Sequence, residues 1–153
     1  MSMYEYSFIP ADDMDFVPTP EKIERLQTLL EPYSTHFSVK AGGRREFFGS
    51  GFMYEGIRCP LCGQEIDEIW WVKELERISE QNGFEDMRIL TPCCAHPSSL
   101  DKLTYPWPAG FARFSVKLGT DDEPDFDNGP AERLLPEIEQ TVGRRMKLIV
   151  EKY

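Results

Sequence analysis

Phe111-Ala112-Arg113-Phe114-Ser115-Val116-Lys117-Leu118 sets the period of this chain. Ala112, Phe114, Val116 and Leu118 alternate with Arg113, Ser115 and Lys117. A period of two predicts a strand with one buried and one wet face. An acidic loop, a helix and another strand come after it in the chain. Leu134, Leu135, Ile138 and Val142 recur at helical spacing and stop at Gly143, and Met146 to Val150 is the final strand. Pro136 either starts that helix or kinks it.

The same order occurs near the N-terminus. Tyr4, Tyr6 and Phe8 predict a strand over residues 4–9, followed by a Pro- and Asp-rich loop. Thr19 reads as an N-cap with Pro20 at the first helical position. Ile23, Leu26, Leu30 and Tyr33 form an apolar stripe, and Pro32 stops the helix. His36 to Lys40 is a strand with Phe37 and Val39 on one face. Glu24-Arg25-Leu26 and Glu132-Arg133-Leu134 fall in comparable places of the two stretches. Residues 6–40 and 111–151 thus read as two βαβ-like halves. The expected fold class is α+β, one antiparallel or mixed sheet with helices on one face. The whole chain, 1–153, is read as one domain, with residues 59–96 inserted as a zinc-binding segment.

Between the halves, residues 45–58 read as a hairpin: Glu46-Phe47-Phe48, a turn at Gly49-Ser50-Gly51, then Phe52 to Ile57. A helix is expected over 67–81 with Trp71, Val72, Leu75 and Ile78 inward, stopped by Asn82-Gly83. Met87 to Leu90 is a short strand, and residues 104–110 form an aromatic, Pro-rich turn.

The 153 residues suffice for one ordinary core. No run approaches the ~18 apolar residues of a membrane span. The N-terminus has neither the basic nor the apolar region of a signal peptide. A soluble, cytoplasmic protein is the expectation. The net charge of −10 disfavours nucleic acid and anionic membranes as partners. Acidic residues gather at 1–21 and 119–140, as solvated loops or as a docking face for a basic protein partner. If the halves pair in one sheet, the loops holding Asp12-Asp13 and Asp121-Asp122 are expected to lie side by side.

Cys59-Pro60-Leu61-Cys62-Gly63 is the strongest motif. Thiolates two residues apart can turn towards one point, the N–H groups of the turn face the sulfurs, and Gly63 can take the positive φ that closes it. Thirty residues on comes Pro92-Cys93-Cys94-Ala95-His96. Adjacent cysteines share one metal only if the backbone turns sharply between them. Cys93 with His96 has the more regular spacing, so a three-Cys, one-His set is an alternative to Cys59, Cys62, Cys93 and Cys94. Disulfides are disfavoured in a cytoplasmic setting. A redox CxxC and inert thiols are further readings. Four protein ligands leave no open position, so the expected zinc ion is structural.

The segments CPLCG, IDEIWW, TPCC and SLDKLTYPWPAGFARF, within residues 59–116, resemble an uncharacterised family of small bacterial proteins. That family carries a CPxCG knuckle, a TPCC element and a YxWPxGFARF stretch, and no established activity comes with it. The resemblance implies that both Cys93 and Cys94 belong to the site and that His96 need not.

No catalytic residue stands out. His36 and His96 sit in no nucleophile motif. The Asp clusters lack EF-hand spacing. Ser98 and Ser99 read as caps before Leu100. The aromatic turn is a hydrophobic lid over the metal or a recognition surface. The expected function is a small zinc-stabilised, non-enzymatic binding protein that docks a protein partner through an acidic or aromatic surface. A cysteine-based redox protein or enzyme is the alternative.

Overall fold

In the computed structural model, which describes residues 4–32, 37–49, 56–120 and 130–152, the order is β1 (Tyr4–Pro10), α1 (Pro20–Leu30), β2 (Phe37–Phe48), α2 (Glu68–Asn82), β3 (Arg88–Leu90), β4 (Pro97–Ser99), β5 (Gly110–Thr120), α3 (Pro130–Val142) and β6 (Met146–Lys152). Local chemistry sets the helix ends. Thr19 Oγ1 accepts from Lys22 N at 3.4 Å, with Pro20 opening α1. Asp67 does the same for Trp70 N at 3.1 Å, and Gly83, at φ 61°, closes α2 in the left-handed region. Pro136 lies inside α3, so the helix does not start there. Pro136 is exposed, and water can meet the carbonyl that its missing N–H leaves unpaired. No helix among the described residues is long and apolar enough to cross a membrane.

Four strands form one antiparallel sheet in the order β2-β5-β1-β6. Each βαβ half is split: β5 lies between β1 and β2, and β1 lies between β5 and β6. The halves interleave in the ferredoxin-like arrangement. Tyr4, Tyr6, Phe8, Phe114, Val116 and Leu118 face one way and bury against Leu26 and Leu30 of α1 and Leu134, Ile138 and Val142 of α3. Each fully buried Leu, Ile or Phe contributes roughly 1.5–3 kcal/mol. The fold is therefore α+β with α1 and α3 on one sheet face.

Several expectations change. Glu46 to Phe48 is part of a longer strand, and residues 52–55 of its expected hairpin partner lie outside the described residues. Glu46 to Phe48 continues β2 across a bulge between Ala41 and Glu46 and pairs with Gly110 to Ala112 of β5. Gly42 and Gly43, at φ 91° and 80°, carry the bulge without a Cβ penalty. The turn residues Ser50 and Gly51, the arm from Phe52 to Glu55, Tyr33, His36 and the acidic run Asp121 to Asp127 lie outside the described residues. The second face of β5 is not wet throughout, because Ser115 is buried, as are Ser7, Ile9 and Ile149 on neighbouring strands. Pairing of Tyr4 with Thr120 puts the last residue of β5 beside the start of β1, about 20 Å from where β1 ends. The expected side-by-side placement of the two acidic loops rests on Asp121-Asp122, which lie outside the described residues.

Residues between β2 and β5 build a second core of Ile57, Cys59, Ile66, Trp71, Ile78, Phe84, Met87, Ile89, Leu100 and Leu103. Phe111 of β5 buries into it, and Phe47 of β2 stacks on it. Their rings sit 5.2 Å apart, with Trp71 5.4 Å from Phe47 and Phe84 5.1 Å from Phe111. Beside this seam, Asp15 takes two bonds from Arg45, both 2.8 Å, and one from Arg113 at 2.9 Å. Arg45 also donates to Phe84 O at 2.9 Å, and Arg113 pairs with Glu85. Asp15 is therefore a structural anchor between the β1–α1 loop, the sheet and the turn after α2.

The Arg45 guanidinium, with Arg113, holds the Asp15 carboxyl at about 2, below its usual 3.8. A lowered folded-state value contributes stability above about pH 4 that is lost as pH falls towards 2. Asp15 is half exposed, so screening limits the effect, and Asp15→Asn should cost about 1 kcal/mol at pH 7. The difference in urea midpoint between the two proteins should vanish by about pH 2; a difference that persists there refutes the ion-pair origin.

Candidate metal centre

Two limbs of the second core meet at the cysteines. In the first, Cys59 N donates to Gln64 O at 2.9 Å and Gly63 N to Cys59 O at 3.0 Å. Gly63 takes φ 75°, and Leu61 N points at Cys59 Sγ at 3.4 Å. Arg58 braces the loop by exchanging backbone bonds with Thr104, both 2.9 Å, and by donating its side chain to Gly63 O at 3.0 Å. These bonds curl Cys59 to Cys62 around one point and aim an N–H dipole at a sulfur.

The second limb is a hairpin. β3 and β4 pair antiparallel, Arg88 with Ser99 and Leu90 with Pro97, and Cys93-Cys94 forms its tip. Ser99 stands at the N-cap position of a single 3-10 turn at Leu100–Lys102, as expected, and both Ser98 and Ser99 also lie in the strand β4, which was not expected. A three-residue strand beginning with Pro leaves no readable alternation. At the tip, Ala95 N donates to Thr91 O at 2.8 Å and Thr91 N to His96 O at 3.0 Å. Ala95 accepts φ 54°, a left-handed value uncommon for a residue with a Cβ. This is the sharp turn that adjacent cysteines require.

The result is a cluster of four sulfurs. Cys59, Cys62, Cys93 and Cys94 all have Sγ within 4.8 Å of one another. Cys59 Sγ lies 3.9 Å from Cys94 Sγ, and Cys62 Sγ 3.2 Å from Cys93 Sγ. Sulfurs about 2.3 Å from a tetrahedral ion stand about 3.8 Å apart, so the donor set fits a metal of that size. None of the four is in a disulfide; Cys59 is buried and Cys62 exposed. His96 is outside this four-donor group. Its ring stands beside Cys94, whose thiolate raises the imidazole above its usual 6.5.

Thr91, which sequence reasoning passed over, is buried at 1% exposure and bonds Cys94 Sγ at 3.0 Å through its hydroxyl. That bond, with His96, pulls Cys94 down to about 6. Backbone N–H groups of Cys62 and Leu61 lower Cys59, while bonding to Cys62 pushes Cys93 up to about 12. Thiols must lose their protons to bind a metal, so affinity falls as the pH falls. The only sequence trace of Thr91 is its place in Thr91-Pro92-Cys93-Cys94.

The aromatics support the limbs rather than seal them. Tyr105 OH donates to Leu100 O at 2.7 Å and accepts from Trp71 Nε1 at 3.2 Å. Trp71 is fully buried, Trp70 packs partly against the same core, and Trp107 remains 46% exposed. A closed lid by the whole turn is not what the structure has.

Comparison with known proteins finds no family model, no curated protein and no solved structure that matches the chain. The site stands on its own geometry.

If four thiolates form the site, Cys94→Ala should abolish cobalt binding in the thiolate-to-cobalt band, while His96→Ala should keep it with at most about a 10-fold loss of affinity. Absorption titration in the thiolate-to-cobalt band reads both. The opposite pattern establishes the three-Cys, one-His set.

Proposed function

We propose that Cys59, Cys62, Cys93 and Cys94 bind one structural zinc ion and that the chain is a small, non-enzymatic binding protein. The observation that carries the reading is the four-sulfur cluster, contributed by two limbs more than thirty residues apart in sequence. Thiolates favour zinc among common divalent ions, and four of them fill its tetrahedral shell. No position is left for an activated water, so zinc would supply only cross-linking here. The ion joins the Cys59–Cys62 loop to the hairpin tip and thereby fixes the second core. The resemblance of residues 59–116 to small bacterial proteins with both motifs supports the four-cysteine set. Such a site belongs in a reducing compartment such as the cytoplasm, where thiols persist.

Docking of a protein partner is the task this scaffold suits. Leu61 and Leu90, one on each metal-bearing limb, are 58% and 63% exposed. Held rigidly by zinc, they offer apolar contacts on a chain of net charge −10, and a partner with an apolar centre and basic rim fits that pattern. Nucleic acid and membrane are not proposed as partners.

One observation favours a second reading as a cysteine-based redox protein: Cys62 is exposed and its sulfur approaches Cys93 to 3.2 Å. Metal analysis separates the two. Protein purified without added metal should carry one zinc per chain and show no fast-reacting thiol. Cys59→Ser should lose the ion and several kcal/mol of stability, read as a large drop in thermal midpoint. Unchanged midpoints for wild type and variant, both metal-loaded, exclude the structural role. A metal-free protein with a reactive thiol at Cys62 or Cys94 supports the redox reading.

A further inference from the structure

Lys147 of β6 stands opposite Ile9 of β1, on the sheet face turned away from α1 and α3. Its side chain runs beside Ile9 and ends over Gly110. A Cβ at position 110 would lie 2.7 Å from Lys147 Nζ and 3.0 Å from Ile9 Cδ1, so the amine lies directly against the Gly110 backbone. Among the described residues the Nζ makes one hydrogen bond, to the carbonyl of Ala109. The amine faces a cavity of about 250 Å³ where the β1–α1 loop, the Tyr105–Gly110 turn and β6 meet. Asp12, Asp13, Asp101, Tyr105 and Phe111 line it, and among the described residues Lys147 is its one cationic residue.

We propose that this cavity is a small-molecule site in which the Lys147 amine condenses with a small, uncharged aldehyde or ketone. The nitrogen lone pair forms a C–N bond to the carbonyl carbon as the C=O π electrons move to oxygen. Both N–H protons end on that oxygen, which leaves as water, and an imine remains. The cavity volume admits a ligand of up to about ten non-hydrogen atoms. Asp12 and Asp13 from the β1–α1 loop and Asp101 from the 3-10 turn disfavour an anionic carbonyl compound. Met14 and Phe111 offer an apolar wall to a short carbon chain.

Burial pushes the Lys147 amine below its usual 10.5, against an opposing pull from Asp12. A larger neutral fraction makes a lysine a better nucleophile. The site is separate from the cysteine cluster and stands or falls without it.

The test uses the full-length protein with propionaldehyde at about pH 7.5, borohydride to fix the imine, and peptide mass mapping. Lys147 should be modified at least about fivefold faster than exposed Lys73 and Lys102, as a desolvated amine should be. Its rate should saturate with aldehyde concentration, as binding in a cavity requires, while the exposed lysines respond linearly. Glyoxylate, an anionic aldehyde, should label Lys147 less than propionaldehyde does. Labelling that simply follows exposure, or a linear response at Lys147, overturns the site; equal labelling by glyoxylate overturns the assigned ligand class.

Discussion

The pairing of β1 with β5 is the constraint on which the rest of the molecule depends. Tyr4 lies opposite Thr120 and Phe8 opposite Val116, across more than a hundred residues of chain. Once these strands are neighbours, β2 must add outside β5 and β6 outside β1, and both crossover helices fall on one face. Closing so long a loop carries an entropic cost that grows slowly with length. The shared core of Tyr6, Phe8, Phe114 and Val116 against α1 and α3 offsets it. The same pairing fixes where everything else emerges. It leaves the segment between β2 and β5 to build on one end of the sheet.

That segment has a core of its own, yet it is not independent of the sheet. Phe47 and Phe111 extend from paired strands into a cluster with Trp71, Phe84 and Tyr105, so the aromatic core is anchored by β-sheet hydrogen bonding at its base. At its far side are the four sulfurs. Their approach is set by two hydrogen-bonded turns, one closed by Gly63 and the other by Ala95 in the left-handed region. A non-glycine residue held at positive φ costs conformational energy. Here it lies directly after the cysteine pair, where the turn is what allows both side chains to reach one centre.

Charge has a more local role than the overall acidity suggests. Asp15, in the first acidic stretch, is the acceptor that gathers Arg45 and Arg113 at the seam between the two cores. Asp13 accepts from Asp15 N at 3.0 Å and shapes the same loop. Lys147 is the converse case. It is a cation drawn partly out of water beside three aspartates of neighbouring segments, with a carbonyl as its hydrogen-bond acceptor. Its amine lies against Gly110 of another strand.

The sequence by itself determined what rests on short-range rules. Period-two alternation marked β1 and β5, Thr19-Pro20 and Gly83 set helix ends, and the CPxCG loop announced its turn. Hydrophobic stripes also identified Leu26, Leu30, Leu134 and Ile138 as the helix faces that pack on the sheet. Tertiary structure decided everything that needed a partner. Alternation states that Glu46 to Phe48 is extended but not which strand it joins, and it joined β5 across a bulge. The short β4 had too few residues to show a period. Adjacent cysteines look unsuited to one centre until Thr91, Ala95 and His96 close the hairpin tip around them. Asp15 read as one more solvated acid because its arginines lie thirty and ninety-eight residues away. Spacing along the chain encodes local geometry, whereas the choice among distant partners is made only when the whole sheet and both cores form together.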